Sequence, residues 1–285
     1  MKRLIKKAVT ETVGTALARR SPKAAVVLCY HSVSDSTPFA SANPRLFRDH
    51  LDWLSSNCQL VALDDLARRA LGDVTDKPTV SITFDDGYED NWSVVLPILS
   101  ERGIKATFFL TTGFIDGQPT VAERFARERR TEPGLRPLSW SQVRDLREAG
   151  MSVGSHTVTH RNLARLTETE VEAELSDSKN RLEEMLEMTV NSLAYPYGKP
   201  RSHVTRAVAG IAATCGYRLA VTTSARRVDR ADTLLELPRL LVSSDNVATL
   251  AAKVRGSWDI VGIWQEYSPR WLSQIVSPHD FRIGL

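Results

Sequence analysis

Two adjacent carboxylates, Asp85 and Asp86, close the run Thr79–Phe84 and are followed by Gly87 in TVSITFDDGYEDN. Val80, Ile82 and Phe84 are β-formers and Pro78 stands just outside, so the run reads as a buried strand. Strand side chains alternate faces, so neighbouring acids cannot both enter one core. At the open end of a strand they can diverge, one toward a metal and one toward a substrate, and Gly87 lets the chain turn sharply behind them. A polar turn with an Asp N-cap explains this stretch equally well when it is taken alone. Further clusters weigh against that reading. His156 and His160 stand in GSHTVTH, just beyond another strand-like run. Four apart, they fall on one side of a helical turn and can converge on one ion, with Asp86 as a third ligand. Two imidazoles and one carboxylate leave coordination positions for water and substrate, which a catalytic metal needs. Tyr195-Pro196-Tyr197-Gly198 and Tyr30-His31 also end apolar runs. The former can wall a cleft and aim a backbone N–H inward; the latter, taken alone, reads as a turn.

These pieces meet only if their strands are parallel and end on one rim. Seven runs read as strands: 24–30, 79–84, 105–111, 151–154, 192–196, 219–223 and 237–242. Helical spacing marks 44–57, 61–71, 91–102, 139–149, 167–188, 201–215 and 247–254. Ser139 is an N-cap, and Gly103 and Gly150 are stops. This alternation predicts parallel strands with helical crossovers, an α/β barrel of about seven strands, closed or nearly so. Residues 113–138, rich in Arg, Glu, Gly and Pro, leave the core either as a substrate-facing rim or as a solvated loop. No linker divides residues 23–256.

A charged content of 25% and a hydrophobic content of 42% fit a globular protein,. The net charge of +3, without a Lys/Arg stripe, argues against nucleic acid as a partner,. Cys29, Cys58 and Cys215 form no CxxC pair, which argues against a disulfide scaffold or structural zinc; Cys29 reads as a small buried hydrophobe. Residues 1–22 begin with Lys2, Arg3, Lys6 and Lys7, but Thr10, Glu11 and Thr12 interrupt any signal-type apolar core,. They read as an amphipathic helix, packed on the domain or lying on an anionic membrane. The tail, 257–285, carries Trp258, Trp264, Tyr267 and Trp271 and reads as packed on the domain, with sugar stacking or membrane contact as alternatives. The expected location is cytoplasmic, with peripheral membrane contact through residues 1–20 and the tail. Nothing specifies an oligomeric state.

SITFDDGYEDN, GSHTVTH and AYPYG resemble the first three motifs of the NodB-homology polysaccharide deacetylases, carbohydrate esterase family 4. The YHSV segment is similar to the branch containing poly-N-acetylglucosamine and exopolysaccharide deacetylases. The resemblance spans residues 25–242. It implies a distorted (β/α) barrel of seven or eight strands and metal-dependent removal of acetyl groups from an N-acetylated glycan. It makes Asp85 the general base and Asp86, His156 and His160 the ligands of a divalent metal, usually Zn2+, with Co2+ or Ni2+ sometimes preferred. Tyr197 would offer its backbone N–H to the oxyanion. The sequence departs from the pattern twice. Ala194 stands where the family places an arginine that steadies the base, and Arg239, in LPRLLV, is the candidate replacement. The late Leu-x-His motif of the general acid is missing, and His279 in SPHD has a different context. In the branch with Tyr-His the early histidine serves, so His31 is the candidate acid. An O-acetyl esterase and an inactive glycan-binding relative are the alternatives. Peptidoglycan, chitin oligomers, exopolysaccharide and lipid-linked sugars all remain open as acceptors.

Overall fold

The computed structural model describes residues 25–36, 39–70, 77–129 and 136–267. Within them one parallel sheet contains β1 (Ala25–Tyr30), β2 (Gln59–Leu60), β3 (Thr79–Phe84), β4 (Thr107–Leu110), β5 (Ser152–Ser155), β6 (Ser192–Ala194), β7 (Leu219–Val221) and β8 (Leu240–Leu241). The spatial order is β7-β6-β5-β4-β3-β1-β8, with β2 pairing with the start of β3. The gap between β7 and β8 is spanned by backbone bonds to Leu237. Thr222 N–H donates to Leu237 O at 2.8 Å, and Leu237 N–H donates to Ala220 O at 2.9 Å. The result is a distorted (β/α) barrel in which the seven expected strands form the ring. β2 is additional: two residues are too short to show a period in sequence.

Strand alternation sorts the apolar side chains into two layers. Val26, Leu28 and Tyr30 pack outward with Phe47, Leu51 and Leu54 of the helix Pro44–Asn57. Val27 faces the other way, toward Phe109, Ala194, Val221 and Leu237 from four other parts of the ring. Each buried large side chain is worth about 1.5–3 kcal/mol, so both layers hold the ring closed. The helix Pro44–Asn57 starts where the sequence says it should. Asn43 accepts the Leu46 N–H at 2.7 Å, and Pro44 occupies the first turn, where no N–H is needed,.

Residues 91–102, expected as one helix, begin instead as a π-helical turn, Asn91–Val95, and continue as Leu96–Glu101. Pro97 explains the break, because it has no N–H and its ring crowds the preceding turn. The excursion at 113–138 contains the helices Thr112–Ile115 and Pro119–Arg129. In the tail, Trp258 is buried and the helix Asp259–Tyr267 lies on the loop 224–228. Arg227 pairs with Asp259 at 2.7 Å and Arg226 with Glu266 at 2.8 Å. A Cβ on Gly262 would meet Arg226 Cβ at 2.6 Å, so glycine permits this close seating,. Residues 1–24 and 268–285, including His279 and Trp271, lie outside the described residues. No helix among the described residues is long and apolar enough to cross a membrane.

Candidate active site

Register brings the clusters to one rim. Tyr30 pairs with Phe84, so His31 and Asp85 leave β1 and β3 side by side, and Asp85 N–H donates to Tyr30 O at 3.0 Å. Leu110 pairs with Ser155, and His156 N–H donates to Leu110 O at 2.8 Å. Ala194 pairs with Val221, which sets Tyr195-Pro196-Tyr197 next along the rim. The backbone then turns sharply. Asp86, Thr157, His160 and Tyr197 all have positive φ, at 78°, 67°, 55° and 60°. Such conformations cost roughly 1–3 kcal/mol each in non-glycine residues and persist where the surroundings enforce them. Gly198 is required as well: a Cβ there would come within 2.9 Å of Thr223 N.

Asp85 turns toward the lumen. Arg239 Nη1 and Nη2 donate to its two oxygens at 2.7 Å each, a bidentate pair in which both residues are buried,. Arg239 also donates from Nε to Thr222 O at 3.0 Å and from Nη1 to Thr83 Oγ1 at 3.1 Å, and it lies over the Phe109 ring. Burial pushes the Asp85 carboxyl upward. Arg239 outweighs that, with help from His156 and His31, and holds it at about 2. Cys29, read from sequence as a buried hydrophobe, is buried but sits in the polar site: its Sγ–H donates to Asp85 Oδ2 at 3.4 Å. Period-two alternation was the available signal, since Cys29 and His31 share a face of β1. His31 is half-buried, and its ring nitrogen, Cys29 Sγ and an Asp85 oxygen lie within 4.8 Å of one another. Its backbone is fixed by Asn91 Nδ2, which donates to His31 O at 2.8 Å. Beneath this loop Asp90 accepts from Ser32. Burial raises its carboxyl to about 6 despite the donors around it.

Asp86 turns the other way, toward two imidazoles. His156 Nε2 lies 3.5 Å and His160 Nε2 3.6 Å from Asp86 Oδ1, and all three side chains are buried. The pair does not sit on a helical turn, as the spacing suggested. Residues 156–160 form a loop whose left-handed Thr157 and His160 bend it back on itself. Three observations fit this corner to a divalent cation. Ligands 2.0–2.2 Å from a tetrahedral centre stand roughly 3.4 Å apart, close to the two separations here. His156 Nδ1–H donates to Ala194 O at 2.6 Å, which fixes the tautomer and leaves the Nε2 lone pair facing Asp86,. The donor set is nitrogen and oxygen, suited to zinc and its neighbours.

Two acids that the sequence did not single out support this corner. Glu174 accepts from Val158 N at 3.0 Å and Thr159 N at 2.8 Å, and also from Thr159 Oγ1. It thereby anchors the loop between the histidines to the helix Glu168–Leu186. Nothing in sequence distinguishes it from the other acids of that helix. Glu128, in the excursion, accepts from Tyr197 Oη at 2.6 Å, and its other oxygen is 3.7 Å from His160 Nδ1. Of the residues singled out in sequence, Asp85, Arg239 and His31 gather on one side of this site, and Asp86, His156, His160 and Tyr197 on the other.

The sequence profile of the polysaccharide deacetylase family matches residues 72–220, just over half of the chain. YxkH of Bacillus subtilis (strain 168) is 29% identical over 220 residues, 76% of this chain and 71% of that protein. The deacetylase PplD of Streptococcus pyogenes, solved in complex with acetate, superimposes with a TM-score of 0.69 at 25% identity, covering 82% of this chain and 99% of PplD. IcaB from Ammonifex degensii superimposes with a TM-score of 0.67 at 26% identity, covering 82% of this chain and 97% of IcaB.

Proposed function

This chain belongs to the polysaccharide deacetylase family, whose members are hydrolases of N-acetyl amide bonds, and on that premise we propose that it hydrolyses the acetamido groups of an N-acetylated glycan with Asp86, His156 and His160 as the ligands of a divalent cation. The observation that carries the reading is the convergence of these three ligand atoms within 4.8 Å beside a second, separately held carboxylate, Asp85. Zinc is the proposed ion, with cobalt or nickel as substitutes that the same donors accept. Such an ion supplies Lewis acidity, lowering the pKa of water and polarising the acetyl carbonyl.

The chain's own residues supply the rest. Asp85 Oδ2 lies 4.0 Å from His156 Nε2, so its carboxylate stands next to the ligand corner and accepts the proton of the attacking water,. Arg239 keeps it ionised and aimed. Tyr197, held in a left-handed turn, presents its backbone N–H to the carbonyl oxygen as negative charge develops,. The C–N bond then breaks, and the sugar nitrogen must take a proton, because an amide anion is a poor leaving group. His31, beside Asp85, is the donor. The products are acetate and a free amine. Tyr30-His31 and the likeness to IcaB support the branch that carries this early histidine. The reading extends to peripheral contact with a membrane surface, supported by the basic residues near the N-terminus and by exposed Ile260, Ile263 and Tyr267 on one face of the last helix. Partition between soluble and membrane fractions that ignores deletion of residues 1–20 would count against that extension.

The test is acetate release by metal-stripped protein from N- and O-acetylated glycans, with zinc or cobalt restored and Asp85→Asn as control. The expected result is release from an N-acetylated glycan that returns with metal and is lost in the control. Release that ignores metal removal would overturn the cation assignment. Release from O-acetyl substrates alone would make the chain an esterase.

A further inference from the structure

Each imidazole in the ligand corner has a different partner behind it. For His156 it is a main-chain carbonyl, Ala194 O, fixed by the β6–β7 pairing. For His160 it is a side chain from outside the barrel, Glu128 on the helix Pro119–Arg129. That helix also covers the imidazole. Phe125, one turn earlier, is fully buried, lies 5.0 Å from the His160 ring, and packs on Phe114 at 4.7 Å. Residues three apart share a helix face, so Phe125 and Glu128 approach His160 together. Glu128 then bridges to a second functional turn. Its Oε1 accepts from Tyr197 Oη at 2.6 Å while Oε2 faces His160 Nδ1 at 3.7 Å. The Tyr197 ring itself lies 4.9 Å from the His160 ring.

We infer that Glu128 is a positioning residue for the ligand corner: its carboxylate orients His160 through Nδ1 and ties that histidine to the Tyr197 turn. With Nε2 committed to a cation, Nδ1 carries the proton, and Glu128 is the carboxylate facing it. The gap of 3.7 Å is an ion–dipole contact, and the side chain is 29% exposed. A carboxylate behind a ligating imidazole fixes the ring and raises its basicity, and loss of such a partner typically weakens metal affinity 10–100-fold. The helix that carries Glu128 is therefore part of the site rather than a solvated loop. The inference rests on the cation reading of Asp86, His156 and His160.

The experiment measures zinc affinity of the full metal-stripped chain by competition with a chromophoric chelator, alongside thermal melting of the metal-free protein. Glu128→Gln is close to isosteric and keeps one accepting oxygen but removes the negative charge behind His160. It should weaken zinc binding by about tenfold, and Glu128→Ala, which removes the partner altogether, by up to about 100-fold. Tyr197→Phe leaves the carboxylate facing His160 and should lose less than tenfold. Glu123→Gln, exposed on the same helix, should change nothing. Metal-free melting of Glu128→Gln should match that of the parent chain, which a merely structural role would not allow. Parent-like zinc affinity in both Glu128 variants would overturn the inference while leaving the cation reading intact. Failure of the parent chain itself to bind zinc would overturn the cation reading and the inference together.

Discussion

The two sides of the rim treat neighbouring carboxylates in opposite ways. Asp85 is held by three donors: two guanidinium N–H groups and a thiol donate to it, and its partner Arg239 is itself bonded to Thr83 and Thr222. Asp86, the next residue, faces two imidazole nitrogens at 3.5 and 3.6 Å across a gap of the size an ion needs. An acid so held stays an anion in one place, as the proposed base requires. An acid set among nitrogen lone pairs suits the proposed role of ligand. The backbone, turned by the positive φ of Asp86, sends the two side chains apart. On the proposed reading, folding stability should reside in the Asp85 side and ion affinity in the Asp86 side.

Substitutions should part these sides. Asp86→Asn should abolish zinc binding and acetate release while the metal-free chain melts no lower than its parent; a large drop in metal-free melting would erase the distinction. Asp85→Asn should bind zinc and yet lose about 10²–10⁴ in turnover, the usual worth of a general base. It also leaves the Arg239 guanidinium buried without its counter-charge, a loss of about 3–5 kcal/mol readable by denaturant unfolding.

Arg239→Met should cost a similar amount and also flatten the acid limb of stability. The folded Asp85 sits at about 2 against an ordinary 3.8, so its contribution of roughly 2 kcal/mol is present above pH 4 and fades as pH falls toward 2,. That limb should shrink in Arg239→Met; an unchanged limb would assign the stabilisation of Asp85 to other groups. His31→Ala should slow amide hydrolysis by about 10²–10⁴ and ester hydrolysis much less, because an alkoxide leaves more easily than an amide anion. Equal losses on both substrates would remove His31 as the acid.

The smallest effect belongs to Asp90, under the His31 loop. Its folded carboxyl is raised to about 6, so its stabilising contribution is complete below pH 4 and lost as pH rises through 6,. Asp90→Asn should therefore gain up to about 2 kcal/mol in relative stability between pH 4 and pH 8, measured by unfolding at both.

Much was legible in the sequence because it is local. Alternating β-formers, helical spacing and caps such as Ser139 act within a few residues, so seven strands and most helices could be read directly. The pair Asp85-Asp86 and the histidines of GSHTVTH were legible for the same reason: chemistry-bearing residues ended the strands. Arg239 could be singled out because Ala194 stands where the resembling family places an arginine. Other features depended on the third dimension. The loop that bends His160 back turns at left-handed Thr157 and His160, and the two residues between them are pinned to Glu174 on the following helix. Whether Cys29 is a core residue or a neighbour of Asp85 depends on which face of β1 closes the ring. Glu128 looks like any acid of an amphipathic helix until that helix is laid across His160. Periodicity in a sequence records which side of an element is buried. Only tertiary packing decides what the buried side meets, because the partners are brought together by strand register and ring closure across spacings such as the 154 residues between Asp85 and Arg239.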